Sequence, residues 1–287
     1  MAWRHANGPA AGDLQARGRR DRSVRRWVAA AVVIALLAVV AVAGTVAMRR
    51  LGTSWRTLGS SIASIAAGTG TAATNGDGDA DNGNVMSQDE ADRRYPKAVS
   101  PVDFNDNGTD DYADIVAGAR ADAVARPTYD DGYYQGGYPP DDRGACTDLV
   151  WRAFRTAGYD LKAMVDADIA ADPASYAAVA PNPDPNIDFR RTGVLDVFFA
   201  KYGQTLTTDT ADRDQWQGGD IVVFEHTRHI GVVSDKRDRD GYPYILHNMA
   251  QRQRENDYLT FARHMTVTGH YRFDASKVPQ NVLKHWR

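Results

Sequence analysis

Cys146 is the single cysteine in a chain of 287 residues, and a thiolate is a strong nucleophile. A lone thiol forms no disulfide within its chain, so it is a buried apolar residue, an intermolecular link or a reactive group. Cys146 lies in GACTDLVWRAF, where apolar residues at helical spacing predict an amphipathic helix that begins beside the cysteine. A helix N-terminus and a nearby imidazole both lower the pKa of a thiol, so we expect an activated nucleophile. The charge of Asp148 in the same turn acts in the opposite direction.

A cysteine nucleophile needs a base, and His229 is the best placed of the seven histidines. It opens the predicted strand HIGVVSD, where Gly231 shares its face and leaves room beside the imidazole for a helix end or a substrate. His247 ends the next predicted strand, so we expect it to orient His229. Asn248 ranks second as the orienting residue because it faces the opposite side of the sheet. The sequence therefore predicts a triad of Cys146, His229 and His247.

Two patterns resemble metal sites. His226 and His229, with His247, would form a zinc set, but the H-x-x-H spacing suits a helix better than the start of a strand. The segment DFNDNGTDDYAD follows the spacing of a calcium loop, with candidate ligands Asp103, Asn105, Asn107, Thr109, Asp111 and Asp114. The alternative is a solvated turn whose polar side chains cap the next helix. The predicted triad requires no cofactor, so a structural Ca²⁺ is the one ion considered further.

Four residues near the triad are candidates for binding a substrate: Tyr134, Tyr138, Asp148 and Asn248. The tyrosines, together with Tyr133, come just before the nucleophile, and they either line a groove or pack the loop. Arg190 and Arg191 would suit a substrate carboxylate, although a solvated surface is the simpler interpretation.

The predicted elements place helices first and strands afterwards. The helices are DYADIVAGARADAVA, the cysteine helix, DLKAMVDADI and GVLDVFFAKYG; the strands are GDIVVF, HIGVVSD, PYILHN and TVTGHYRF. Asp141 or Asp142 is the predicted cap of the cysteine helix, and Gly158 is its predicted end. Helices followed by an antiparallel sheet are typical of the α+β class.

The N-terminal part of the chain predicts a membrane anchor. Residues 1–26 are rich in arginine, and residues 27–48 form an uncharged apolar run that would be about 33 Å long as a helix, enough to cross a bilayer. This run is too long for the h-region of a cleaved signal peptide, so we favour an uncleaved anchor. The arginines keep the tail in the cytoplasm and export the rest. We therefore expect a single-pass protein of the cell membrane with an extracytoplasmic domain.

The remaining organisation follows from composition. Residues 49–94 are rich in Gly, Ala, Ser, Thr, Asn and Asp, which predicts a flexible linker. The globular domain is expected at residues 95–275, with a C-terminal tail at 276–287. The formal net charge of −3 gives no reason to expect a nucleic-acid partner.

Several stretches resemble the NlpC-type papain-like cell-wall cysteine peptidase superfamily, and within it an exported bacterial branch known mainly as a domain of unknown function. They are GYPPDDRGACTDLVWRAFRTAGYDLKAMV, PNPDPNIDFRR, GDIVVF, HIGVVSD, GYPYILHN and GHYRFD. The resemblance implies a papain-like fold, the Cys146–His229–His247 triad and cleavage of peptide bonds in peptidoglycan stem peptides. One departure is that Ala145-Cys146-Thr147-Asp148 replaces the Asp-Cys-Ser-Gly often found around the nucleophile in that superfamily.

These observations predict a membrane-anchored extracytoplasmic cysteine amidase or endopeptidase that acts on cell-wall peptides. The alternative is a non-catalytic module that binds cell-wall fragments or a protein partner through the same groove.

Overall fold

The computed structural model describes residues 84–287, where helices precede an antiparallel sheet and confirm the α+β class. The helices are α1 (Gln88–Arg94), α2 (Asp111–Ala125), α3 (Cys146–Thr156), α4 (Leu161–Ala171), the single turn α5 (Pro173–Tyr176) and α6 (Thr192–Tyr202). Short 3-10 turns lie at Asp188–Arg190, Arg213–Gln215, Tyr258–Thr260 and Ala275–Lys277. The predicted helices over 111–125, 160–169 and 193–203 are thus confirmed to within a few residues.

The sheet is antiparallel throughout. Its strands are β1 (Gly203–Thr205), β2 (Ile221–Phe224), β3 (His229–Arg237), β4 (Pro243–Leu246), β5 (Glu255–Asn256) and β6 (Val267–Phe273), in the spatial order β1-β6-β2-β3-β4-β5. Phe224 pairs with His229 and Val232 with Leu246, which sets the register of the two central hairpins. Four of these strands were predicted; β1 and β5 are short and carry no apolar alternation.

The two faces of the sheet pack against different partners because successive side chains on a strand point to opposite sides. Ile230 and Val232 belong to the main core with the helices, whereas Val233 belongs to a smaller core that also contains Phe224 and Tyr258. The main core includes the buried face of α3, formed by Leu149, Val150, Ala153 and Phe154. This packing presses the N-terminus of α3 against the sheet.

Helices α2 and α3 lie in close contact because Gly118 faces α3. A Cβ at that position would lie 2.9 Å from the Cα of Ala153, too near for any other residue without a shift. Gly158 follows the end of α3 and has a φ of +88°, a left-handed conformation that glycine adopts readily after a helix.

Three boundaries differ from the sequence-based expectations. Ala145, not Asp141 or Asp142, is the N-cap of α3. Helix α1 lies inside the predicted linker, with Ala91 buried against Met86 and Tyr95. The predicted C-terminal tail is packed on the domain, because Val282 is fully buried and the Trp286 N–H donates to the Gly158 carbonyl.

The predicted cytoplasmic tail and anchor, residues 1–48, lie outside the described residues, as does most of the predicted linker. Within residues 84–287, no helix is long and apolar enough to cross a bilayer.

Candidate functional site

The Cys146 thiol lies at the first residue of α3, against the beginning of β3. The backbone N–H groups of Ile230 and Thr147 and the hydroxyl of Thr192 lie near its sulfur and act to lower the pKa of the thiol. Ile230 directly follows His229 on β3, so the thiol lies beside the residue next to the predicted base. The structure therefore brings the predicted nucleophile and base to one end of β3 from distant parts of the chain.

The loop before α3 is attached to the sheet by Asn248. Its side-chain amide donates to the Gly144 carbonyl over 2.7 Å, and its oxygen accepts the Ala250 N–H. Asn248 is fully buried and makes no hydrogen bond to His229. The residue that was ranked second as orienter, and also proposed to bind substrate, instead positions the loop that carries the nucleophile.

His247 is the residue that contacts His229. The Nε2 of His229 lies 2.8 Å from the Nδ1 of His247, and both rings are buried. Gly231 stands opposite His247 across the β3–β4 pair, and a Cβ on it would lie 3.2 Å from the Cβ of His247 and 2.9 Å from the Cγ2 of Ile245. Gly231 therefore makes room for β4, and not for a helix end or a substrate as the sequence suggested.

A residue that the sequence analysis missed continues the chain of contacts. The Nε2 of His247 lies 3.3 Å from the side-chain oxygen of Asn256 on β5. Aromatic rings cover the two histidines: Phe224 stacks on His229 at 5.7 Å and Tyr258 packs against His247 at 4.8 Å between centroids. The histidines are thus shielded from water on the face of the sheet that carries the smaller core, whereas Cys146 belongs to the main core on the other face.

Burial determines the charge state of these groups. It raises the pKa of the Cys146 thiol, with Asp148 adding to the rise and the hydrogen bonds from Ile230 and Thr192 opposing it. Burial also lowers the pKa of His229 to about 3, helped by His247, and that of His247 to about 4. At neutral pH the resting site therefore holds a thiol and two neutral imidazoles. The expected lowering of the thiol pKa by the helix N-terminus is not found, because desolvation outweighs it.

The raised thiol pKa predicts the pH dependence of alkylation. A higher pKa means that less thiolate is present at pH 7 than in the unfolded chain, so the midpoint of the rate–pH profile should lie above that of the same cysteine in denaturant. Alkylation with iodoacetamide, followed by intact mass, measures both profiles. A midpoint in the folded protein at or below the unfolded one would contradict this charge state.

Asp148 is a structural anchor of the site. Its carboxylate is fully buried and accepts two hydrogen bonds from Arg190, at 2.8 and 2.9 Å. It also accepts the Ala145 N–H at 2.7 Å and the Trp151 indole N–H at 2.8 Å. With both oxygens occupied inside the protein, Asp148 does not face a substrate, contrary to the sequence-based expectation.

A cleft of about 410 Å³ opens at the thiol. Cys146 lines it together with Tyr129, Thr192, Thr227, Arg191 and Arg228. Most of these residues were not identified from the sequence, because no periodic pattern singles them out. The cleft provides access to a sulfur that is otherwise largely buried.

The two predicted substrate tyrosines do not line this cleft. The ring of Tyr134 lies under the guanidinium of Arg190 at 5.3 Å. Tyr138 packs edge-on against Trp151 and Phe189, and it lines a second cavity of about 550 Å³ beside Trp286. These contacts favour the loop-packing alternative for both residues.

The predicted calcium loop is held by its own hydrogen bonds. Asp111 turns into the core, where it accepts from the Phe104 N–H and the Tyr159 hydroxyl. The amide groups of Asn105 and Asn107 both donate to Asp114. The carboxylate of Asp103 accepts two backbone N–H groups within the loop, while Thr109 donates its own N–H to Asn107. In residues 84–287, no group of three or more His, Cys, Asp or Glu side chains is arranged to hold a metal ion.

Comparisons with known proteins identify relatives of this domain. The model of the family described as Domain of unknown function (DUF1287) matches residues 116–273. The chain is 38% identical over 168 residues to the uncharacterized protein YijF of Escherichia coli strain K12, an alignment that covers 55% of this chain and 80% of YijF. No solved structure matches the chain. The identification with the NlpC-type papain-like superfamily is therefore wrong, since neither the matching family nor the relative supports it.

Proposed function

Because the chain belongs to the DUF1287 family, whose function is undescribed, we propose from the geometry of the site that it is a cysteine amidase or endopeptidase. The observation that carries the proposal is that the N-terminus of α3, with Cys146, and the buried His229–His247–Asn256 chain meet at the same end of β3. A Cys or Ser nucleophile, an imidazole base and a polar orienting group recur on unrelated folds, so the roles follow from geometry and not from ancestry.

The reaction begins with a neutral thiol and a neutral imidazole. His229 removes the proton from Cys146 as the sulfur attacks the amide carbonyl, and a tetrahedral intermediate forms. The imidazolium then gives that proton to the leaving amine, and the acyl group remains on the sulfur as a thioester. Water, deprotonated by His229, hydrolyses the thioester and regenerates the thiol. The backbone N–H of Cys146, an orphan donor at the helix start, is placed to stabilise the oxyanion.

The lining of the cleft supports a peptide substrate that carries carboxylates. The guanidinium groups of Arg191 and Arg228 border the cleft, with side chains 40% and 68% exposed. Each is paired with an acidic residue, Arg191 with Asp188 and Arg228 with Glu225. A substrate carboxylate would have to replace these partners at the exposed guanidinium groups, and Ala145 and Val179 give the cleft an apolar part. We propose peptidoglycan stem peptides as the substrate class, with the enzyme anchored to the membrane by residues 27–48 and exported.

The second candidate is a non-catalytic module that binds cell-wall fragments or a protein partner. Two observations favour it: the pKa of the thiol is raised, and the hydrogen bonds within residues 84–287 do not join the thiol to the His229 ring. In the hydrolase, substrate binding must bring these two groups into hydrogen-bond contact. In the binding module, they stay apart and the thiol has no chemical role.

Product analysis separates the two functions. Purified cell-wall sacculi and soluble muropeptides are incubated with the full chain, and the fragments are identified by mass spectrometry. The hydrolase should produce fragments whose masses show one water added across an amide bond, and these should be absent from incubations without protein. Retention of intact muropeptides on the protein, with no new fragments, would favour the binding module.

A further inference from the structure

The side chain of Asn256 has a defined orientation. Its amide nitrogen donates to the backbone carbonyl of Gln253 over 2.7 Å. A carbonyl oxygen only accepts hydrogen bonds, so the NH₂ group must be on that side and the amide oxygen must point the other way. That oxygen is the atom that lies 3.3 Å from the Nε2 of His247.

The orientation of this amide fixes the position of a proton on each histidine. Because the Asn256 oxygen only accepts, the Nε2 of His247 carries a hydrogen, and the Nδ1 of the neutral ring is then an acceptor. That Nδ1 lies 2.8 Å from the Nε2 of His229, which must therefore be the donor. A neutral His229 with hydrogen on Nε2 leaves its Nδ1 as the free base.

We propose that Asn256 is a positioning residue that sets the tautomers of His247 and His229, so that Nδ1 is the basic nitrogen of His229. The part of this proposal that concerns catalysis rests on the proposed cysteine hydrolase function. The part that concerns the tautomers is a property of the folded protein and does not depend on any reaction.

The fold keeps Asn256 within reach of His247. Asn256 pairs with Ile245 across β4 and β5, and His247 lies two residues further along the chain, just past the end of β4, so the two side chains are diagonal neighbours on one face. The His247 N–H donates to the Arg254 carbonyl over 2.9 Å and closes the turn between them. The register of this short hairpin thus determines the distance between the amide and the imidazole.

The charged and polar groups around His247 agree with a neutral ring. The buried guanidinium of Arg254 disfavours a second proton on His247 and so lowers its pKa. Tyr258 packs against both rings, but its hydroxyl accepts the Met265 N–H. With both imidazoles neutral at pH 7, the tautomers and not the charges decide which nitrogen is basic.

Nitrogen NMR on the full chain, labelled with ¹⁵N at histidine, tests the proposal. At pH 7 the wild type should show hydrogen-bearing Nε2 and hydrogen-free Nδ1 in both His229 and His247, assigned by comparison with His229→Gln and His247→Gln. In Asn256→Leu, the acceptor is lost and both rings should show exchange between tautomers. Asn256→Gln is the conservative control, because its amide keeps both a donor for the Gln253 carbonyl and an acceptor for His247, so it should keep the wild-type pattern.

Two results would overturn the proposal: a wild-type spectrum with hydrogen on Nδ1 of either ring, or an Asn256→Leu spectrum identical to that of the wild type. The wild-type spectrum remains decisive if Asn256→Leu fails to fold.

Muropeptide kinetics separate the tautomer proposal from the proposed hydrolase function. A loss of about 10-fold or more in kcat with unchanged KM in Asn256→Leu, restored in Asn256→Gln, supports the positioning role in catalysis. If the tautomers are as stated but Cys146→Ala hydrolyses the peptides as fast as the wild type, the tautomer assignment stands and the hydrolase function is wrong.

Discussion

Replacing Cys146 with alanine should lower kcat for muropeptide hydrolysis by about 10⁴-fold or more, because it removes the single thiol of the chain. His229→Ala should cost nearly as much, since the buried thiol is protonated at neutral pH and needs a base. The two residues act as one unit, so the double variant should be no slower than either single variant. Single-turnover rates on a defined stem peptide measure all three losses.

His226→Asn is the matched control for the histidine substitution. His226 is exposed in the turn between β2 and β3, with a φ of +59° that asparagine tolerates. Its rate should stay within about twofold of the wild type. The same variant tests the zinc alternative, in which His226 would be a ligand and its loss would abolish activity. Equal rates for the wild type and Cys146→Ala would rule out the mechanism.

Replacing Asp148 with alanine should lower the free energy of unfolding by about 3–5 kcal/mol, the usual cost of leaving one member of a buried ion pair without its partner. The side chains of Asp148 and Arg190 are 0% and 1% exposed, so water cannot replace the lost contacts. The substitution also removes the acceptor for the Ala145 N–H at the start of α3. Urea unfolding followed by circular dichroism gives the change.

A double-mutant cycle with Arg190→Met separates the pair from its surroundings. The double variant should be more stable than the sum of the single losses predicts, because neither charge is then buried alone. Glu90→Ala is the control, as the Glu90–Arg94 pair is about half exposed and should contribute less than about 1 kcal/mol. A loss in Asp148→Ala no larger than that in Glu90→Ala would show that the buried pair does not hold the helix start.

The sequence predicts the elements of this domain better than it predicts the contacts of the site. Helices α2, α3, α4 and α6 have apolar residues at regular spacing, and β2, β3, β4 and β6 are rich in branched apolar residues, so local patterns suffice to locate them. The sequence also indicates which of these elements carry Cys146, His229 and His247. Their placement at one end of β3 follows once the helix start packs against that strand.

The residues that support the site could not be identified in this way. Asn256 lies in a two-residue strand within QRQRENDY, where no periodicity marks a buried position. The partner of Asp148 is Arg190, which is distant in sequence and looked like a solvated charge. The pKa of Cys146 depended on the depth of burial, which is a property of packing and not of the helix start alone. These features arise from tertiary contacts that no short segment contains.

The Asn256–His247 contact is local, because a short hairpin joins the two residues, whereas the contact between Cys146 and β3 joins segments far apart in the chain. Closing a long loop costs more conformational entropy than closing a short one, and distant contacts form later in folding. The order of assembly should therefore be hairpin first and nucleophile last. A nascent or partly unfolded chain would hold its histidine pair without a thiol beside it, and the site would be complete only after the helical layer docks.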